Sequence, residues 1–477
     1  MKKLLFLIFV LSIINKGFSQ DFASMFTVPL VGKDISTFHT LNKNTNLSTL
    51  FIIDKNKAHA CKLDDRMQLK DSLSFEKPDQ SYKSIIGGIE GQDASLIFWS
   101  TQDFSTFLVQ SFNFKDRKVT SESIPFDITT EKVIRFFSEK KHFYILSSMR
   151  STNEIKLTIV DENRVVTEQK INISQLNPTT LFTIKSLELS EEMDENKTIE
   201  PIESDAYIFY TESSNKNKCY SNEKNITLTF DANPAYTSII IIDLNNFSIN
   251  EKTITKTQNL DKNQPFKSNS FLMNDLLFQM GYNSKDILIS IKDLNNNLLK
   301  EFSSINNDFS TVEYITEKEI GVKIVNVKRE KFLNSLNDSK TGISCYKVND
   351  TYQISIGKPD KLILSEEKRH STYATIGALA GGLIGALIGS LIDYSSSSKQ
   401  NFISFTDNGR TYFNYTVNAK YEHIKNRYDQ LGAEKLRYFL KDSDPGLGQI
   451  LFKVDNVSYF GCYFSKDKKY FIRKFID

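Results

Sequence analysis

Five histidines, four cysteines and a recurring aspartate are the residues of this 477-residue chain whose chemistry would matter most. His39, His59, His142, His370 and His423 are scattered, with no HExxH or other paired-ligand spacing, so they predict no metal centre. Cys61, Cys219, Cys345 and Cys462 are too far apart for CxxC redox or zinc chemistry. An even number in an exported chain permits disulfides, with three pairings open, and four buried free thiols are the alternative. Asp64, Asp116, Asp161, Asp243 and Asp293 each stand at the end of an apolar–polar run. They have the chemistry of metal ligands or catalytic acids, but the place is one where Asp caps a hairpin turn by accepting its own backbone N–H groups. The stretch from Asp293 begins like a calcium loop, yet Leu298 occupies its sixth position, where glycine is needed, and Ser304 its twelfth, where glutamate is needed. No GxSxG, phosphate-binding loop or dinucleotide fingerprint occurs. No catalytic, cofactor or metal site is predicted.

The elements that would position these residues are short strands. From about residue 49 apolar and polar residues alternate in runs punctuated by Asp, Asn, Lys and Gly, which is the pattern of successive antiparallel strands. Residues 84–126 and 132–173 align along their whole length, each reading as four strands with a charged turn at the same point, Lys115-Asp116 and Asp161-Glu162. Steps of 52, 45, 82 and 50 residues separate the five aspartates, and the long step contains an acidic insertion at 187–205. A four-stranded unit with two apolar faces cannot bury both alone, so neighbours must stack and the array must close. The period and strand number resemble those of a β-propeller, which implies a mainly β fold of repeated four-stranded units.

Net charge is +2 with 25% charged residues, which lacks the basic excess of a nucleic-acid-binding surface. Met1-Lys2-Lys3, the apolar run Leu4–Ile14 and the small residues around Gly17-Phe18-Ser19 read as a signal peptide over 1–19, with Gln20 the first mature residue. Export places the protein outside the cytoplasm, in a periplasm or at a cell surface.

A second apolar run, Ala374–Ile392, contains 19 residues without a charge. Gly377, Gly381, Gly385 and Gly389 recur every fourth residue, with Gly382 beside them, and opposite lie Leu379, Leu383, Leu387, Leu391, Ile384, Ile388 and Ile392. As a helix this makes one bare face and one bulky apolar face. The segment resembles the glycine zippers of envelope and pore-forming proteins, which implies close packing against a partner helix or a second copy, or association with a membrane. At 1.5 Å per residue it would reach roughly 28 Å, just enough for a hydrocarbon core.

Beyond it, residues 401–417 read as a hairpin with Asp407-Asn408-Gly409 at the turn. Phe405–Phe413 resembles the Asp box of sialidase-type propellers through Asp407, Gly409, Thr411 and Tyr412, a structural turn in those proteins, with Phe405 where that motif has Ser or Thr. Residues 418–440 read as a helix with Tyr421, Ile424, Tyr428 and Leu431 on one side, and 450–476 as three strands.

The expected organisation is therefore a signal peptide (1–19), a β-propeller-like array (20–370), a glycine-zipper segment with a Ser-rich linker (371–398) and an α+β C-terminal region (399–477) able to complete the array. The expected function is non-catalytic binding or scaffolding in the cell envelope, with a protein or glycan ligand and self-association through the glycine face. The alternative is a glycan-directed hydrolase on the same scaffold, which would need two facing carboxylates.

Overall fold

The computed structural model describes residues 20–476 apart from 44, 190–196, 204–207, 209–211, 258–265, 318–323, 338–340, 360–408, 426–430, 442, 444–445 and 456. Within these residues the alternating runs become seven sheets. Sheet 1 is an antiparallel meander of Ser36–Asn42, Leu47–Ile53, Lys57–Leu63 and Leu69–Glu76. Tyr82–Glu90, Ala94–Thr101, Phe107–Asn113 and Lys118–Ile124 form sheet 2. Sheet 3 comprises Glu131–Glu139, His142–Met149, Glu154–Asp161 and Val166–Asn172. The two aligned stretches of sequence are thus sheets 2 and 3, strand for strand. Sheet 5 repeats the meander with Lys267–Met273, Leu276–Tyr282, Ile287–Asp293 and Leu298–Ser303.

First strands of successive sheets pack on one another: Ser36–Asn42 on Tyr82–Glu90, Tyr82–Glu90 on Glu131–Glu139, and Lys267–Met273 on Gly342–Val348 of sheet 6. Ser36–Asn42 also packs on Leu447–Val454 of sheet 7, so the series returns to its start. Sheets 3 and 4 meet through Ser221 Oγ donating to Glu139 (2.7 Å), and sheets 6 and 7 through the Lys453 amine, 4.5 Å from the Tyr346 ring centre. The arrangement is a ring of seven blades, a β-propeller. Its apolar core lies in the seams between blades. Phe98 of blade 2 stacks on Phe143 of blade 3 at 4.0 Å, and Gly87 is required there because a Cβ would lie 2.4 Å from the Phe143 ring. Fourth strands such as Leu69–Glu76 are mostly exposed, as outer edges must be. In each meander the start of the first strand, the second turn and the end of the fourth strand share one rim, here called upper; the other two turns share the lower rim.

Two blades depart from the simple meander. Blade 7 takes Leu447–Val454, Val457–Phe464 and Lys469–Ile476 from the end of the chain and its fourth strand, Gln20–Thr27, from the beginning. Phe26 of that strand stacks on Tyr470 at 5.8 Å, and burying such a side chain contributes about 1.5–3 kcal/mol to holding the ring closed. Blade 6 has Gly342–Val348, Thr351–Pro359 and Arg410–Asn418, then Tyr314–Glu317 and Ile324–Val327, which precede the others in sequence. Strands from both sides of residues 371–398 therefore share one sheet.

Several expectations are corrected. Residues 401–408 lie outside the described residues, but Arg410–Tyr412 has both edges taken, by Lys358–Pro359 with Gly357 and by Ile315–Glu317, which leaves no edge for a local hairpin partner. The helix expected over 418–440 spans only Gly432–Lys441. Asn418 Oδ1 accepts from the N–H groups of Lys420 and Glu422 (both 2.9 Å), Tyr421 takes φ +60°, and Ile424 N returns to Thr416 O. Such side-chain capture of the backbone competes directly with a helical ladder. Tyr428 lies outside the described residues. The long step between Asp161 and Asp243 holds the helix Pro178–Ser186, N-capped by Asn177, and an additional strand, Glu200–Glu203, parallel to Asn217–Ser221 in blade 4. Blade 4 continues through Asn225–Phe230, Tyr236–Asp243 and Ile249–Thr255.

Candidate functional site: buried charge between blades

The recurring aspartates sit in turns after third strands, on the lower rim. Asp64 Oδ1 accepts from Arg66 N and Gln68 N (3.0 and 2.8 Å), and Asp161 Oδ1 from Asn163 N and Val165 N (both 2.8 Å). Asp293 repeats this with Asn295 N and Asn297 N (2.8 and 2.9 Å), and Asp243 accepts from Asn245 N (2.7 Å). In blade 2 the capping residue is Asn113, which accepts from Asp116 N, so Asp116 is not the equivalent of the other four.

The four cysteines occupy four blades, each buried as a free thiol in a different apolar cluster, so the disulfide expectation is replaced by its alternative. Burial pushes Cys61 and Cys219 up to about 12, which leaves them unreactive. Gly377, Gly381, Gly382, Gly385, Gly389 and His370 lie outside the described residues. Among the described residues no group of three or more His, Cys, Asp or Glu side chains is placed to hold a metal ion.

His39 is buried at the blade 7–1 seam, its ring 3.8 Å from that of Phe452, and burial alone lowers its pKa to about 3. His423 stacks on Tyr415 at 4.2 Å. His59 joins two partners that spacing did not reveal: its Nδ1 is 2.8 Å from Ser74 Oγ, and its Nε2 is 3.4 Å from Asp54 Oδ2. The types are those of a hydrolytic triad. Asp54, however, also accepts from Val31 N, Asn56 N and Lys57 N (2.8, 2.8 and 2.7 Å), which ties the chain as it enters blade 1 to the second turn of that blade. The trio braces a turn.

Charge is concentrated at two other seams. Between blades 4 and 5, Asp231 follows the second strand of blade 4 and is fully enclosed. Its Oδ2 accepts from Ser270 Oγ (2.6 Å) and Ser270 N (3.1 Å), and its Oδ1 from Thr237 Oγ1 (2.7 Å). The Lys218 amine lies 3.7 Å from Oδ2 and donates to Asn269 Oδ1 at 2.7 Å. The Lys256 amine lies 3.4 Å from Oδ1 and donates to the carbonyls of Asp231 and Asn233 (2.8 and 2.7 Å). Lys216, exposed along its stem, donates to Ser268 O. Burial by itself would raise Asp231, but Lys218, Lys256 and Lys216, with Ser270, outweigh it and hold the carboxyl at about 2. Burial lowers Lys218 to about 8; Asp231 opposes this, while Lys216 and Lys256 add to it.

Between blades 6 and 7 the composition differs. Glu317, buried at the end of Tyr314–Glu317, accepts from Arg410 Nε at 2.7 Å and lies 3.2 Å from Arg437 Nη2. Arg410 also lies 3.6 Å from Glu434 Oε1 and 4.2 Å from the Tyr412 ring centre. Arg437 and Glu434 come from the helix Gly432–Lys441, whose Leu436 and Leu440 pack on Phe460 and Phe475 of blade 7. Two cations here meet two anions. What both networks do chemically is hold neighbouring blades together: Asp231 and Lys218 reach blade 5 through Ser270 and Asn269, and Arg410 and Glu317 reach the helix on blade 7 through Glu434 and Arg437, while Lys256 pairs within blade 4. None of these groups was singled out by sequence, because lysines and arginines spread along the chain read as a solvated surface.

No family model matches the chain, and no curated protein matches it. Among solved structures it is similar to an apocarotenoid oxygenase of Synechocystis (9% identity, 57% of this chain and 62% of the other, TM-score 0.30). It is similar also to the WD40 domain of SCAP from fission yeast (9% identity, 95% and 97% covered, TM-score 0.32). A third is an oligogalacturonate lyase in complex with manganese (8% identity, 96% and 97% covered, TM-score 0.35). This chain spans 62% of the length of the oxygenase it matches. At these levels the likeness carries no activity across; the architecture rests on the strand pairing above.

Proposed function

We propose that the protein is an exported, non-catalytic binding or scaffold module of the cell envelope that associates with a membrane, or with a second copy of itself, through residues 374–392. The observation that carries this reading is the pairing of Pro359 with Arg410, and of Lys358 with Thr411, in neighbouring strands of blade 6. Pro359 and Arg410 thus bound the stretch that holds the apolar tract from neighbouring strand ends on the same, upper rim. A single membrane crossing would put two hydrogen-bonded strands on opposite faces of the bilayer. Residues 393–409 carry Asp393, Lys399 and Asp407 and no second apolar run with which to cross back. A tract that dips into one leaflet, or meets the glycine face of another copy, satisfies both facts. Cleavage after Ser19 would leave the closing strand Gln20–Thr27 whole, which is consistent with export. Glu90, Glu131, Asp231 and Glu317 each accept hydrogen bonds from neighbouring strands, which supports bracing and scaffolding rather than hydrolysis.

Carbonate extraction of the mature protein tests the membrane arm. Retention in the pellet, lost on deletion of 374–392, supports it; full release of both proteins removes it. Crosslinking of wild type and the Gly381→Leu/Gly385→Leu variant tests the other arm. Oligomers that persist unchanged in the variant exclude association through the glycine face.

A further inference from the structure

A propeller leaves the outer strand of every blade with one open edge, and six of the seven blades here guard that edge in the same way. The outer strands Leu69–Glu76, Lys118–Ile124, Val166–Asn172, Ile249–Thr255 and Leu298–Ser303 each carry both a cation and an anion, and Gln20–Thr27 carries Asp21. Charge on an edge strand discourages another strand from pairing there. Blade 6 differs. Its outermost strand is Ile324–Val327, with three β-branched residues, one asparagine and no charge. Ile324 and Val325 are 51% and 42% exposed. Leu69, Phe75 and Leu298 are exposed to a like degree in blades 1 and 5, but beside charges on their own strands. Both faces of the sheet behind the blade 6 edge are covered. On one, Phe332 of the helix Arg329–Asn337 packs on Tyr314 and Phe413, with ring centres 4.9 and 5.5 Å apart. On the other, Ala433 and Arg437 of the helix Gly432–Lys441 meet Tyr412 and Glu317. The inner side of Ile324–Val327 pairs with Tyr314–Glu317, and among the described residues no hydrogen bond reaches its outer side. In an antiparallel pair alternate residues turn both backbone groups to one neighbour, so two of the four direct an N–H and a C=O outward.

We propose that Ile324–Val327 is a docking edge for an extended segment of a partner protein, which adds a sixth strand to blade 6 and carries acidic residues at its ends. Main-chain bonds to the outward N–H and C=O groups hold this segment. Its alternating side chains lie beside Ile324 on one face and Val325 on the other. Charge chooses the occupant. At one end of the strand the exposed Lys328, Arg329 and Lys331 outnumber the exposed Glu313 and Glu330, and Lys323 precedes the other end in sequence. A second copy pairing antiparallel through all four residues would bring Lys323 opposite Lys328 twice, and like charges directly opposite are destabilising. A strand with acidic ends meets opposite charge instead. The edge is separate from residues 374–392 in sequence, and the proposal does not depend on association through them.

The test is fluorescence polarisation at low ionic strength, with the full mature chain and a labelled, acetylated and amidated hexapeptide, EVTVTE. Two control peptides are KVTVTK and an EVTVTE methylated on the amide nitrogens of its four central residues, which keeps the side chains and removes the main-chain donors. The protein variant is Val325→Lys, which places on this edge the kind of charge the other blades carry. The expected result is saturable binding of EVTVTE with a Kd on the order of 100 µM. Binding should be at least about tenfold weaker for KVTVTK and for Val325→Lys, and absent for the methylated peptide. Equal binding by the methylated peptide would overturn the proposal without any change to the protein, and so would a lack of saturation by EVTVTE. Dimers of the wild-type chain in sedimentation that are lost in Val325→Lys would give the edge to a second copy and overturn the choice of partner.

Discussion

The 4–5 and 6–7 seams are both held by buried charge, yet they are built on opposite principles. At 6–7 two arginines and two glutamates alternate, so each ion has a counter-ion within reach. At 4–5 two enclosed lysines share one aspartate. Desolvating an ion costs several kcal/mol, and only good pairing offsets it. The 6–7 seam therefore pairs ion with ion, while at 4–5 neutral acceptors, Asn269 Oδ1 and the carbonyls of Asp231 and Asn233, complete the coordination of the lysines.

The comparison is most easily broken by removing one carboxylate from each seam. Asp231→Asn leaves Lys218 and Lys256 without an anion and should cost about 3–5 kcal/mol in urea denaturation. Glu317→Gln should cost at least about 1 kcal/mol less, because Arg410 keeps Glu434. Equal costs would erase the distinction.

Alkaline titration sharpens it next. Lys218 sits at about 8 in the fold against an ordinary 10.5. Between those values the unfolded chain binds the proton more tightly, so stability should rise with pH by about 3 kcal/mol relative to Lys218→Met. Below pH 8 both states are protonated and the penalty is fully present. An identical pH dependence in the variant would contradict the assignment. Acid acts in the other sense: Asp231, held at about 2 against 3.8, contributes about 2 kcal/mol above pH 4 that is lost as the pH falls toward 2. The loss of stability over that window should be smaller by about 2 kcal/mol in Asp231→Asn, the remainder coming from other lowered carboxylates such as Asp54 and Asp103. The smallest effect belongs to a turn away from any seam, where Asp161→Ala should lower stability by about 1 kcal/mol without altering the pH profile between 8 and 10.

The parts of the fold legible in the sequence are those with local causes. Alternation over 84–126 and 132–173 identified two blades because each buries both faces of a meander contained within its own stretch. Asp64, Asp161, Asp243 and Asp293 were readable as turn caps because their partners lie two to four residues away. Asn418 is the same device, but the apolar spacing that follows it suggested a helix, and backbone capture prevailed there. Residues 399–477 were expected to be able to complete the array, but the strand that closes the ring was not legible: Gln20 pairs with Phe475, and nothing local links them. Nor was blade 6, whose outer strands precede its inner ones, so that sequence order and spatial order differ. The charged seam was invisible for a related reason, since Lys218, Asp231 and Lys256 stand at the ends of three different strands of blade 4 and converge only once that blade has formed.

Closure of the ring by Gln20–Thr27 and Lys469–Ile476 is the claim on which the seams and the rims depend. Hydrogen exchange measured by mass spectrometry over residues 20–27 tests it most directly. Protection of Asp21–Thr27 comparable to that of Val457–Phe464 is expected, and its loss when Lys469–Ile476 is deleted. Exchange of 20–27 within seconds in the intact protein, at the rate of a free chain end, would contradict it.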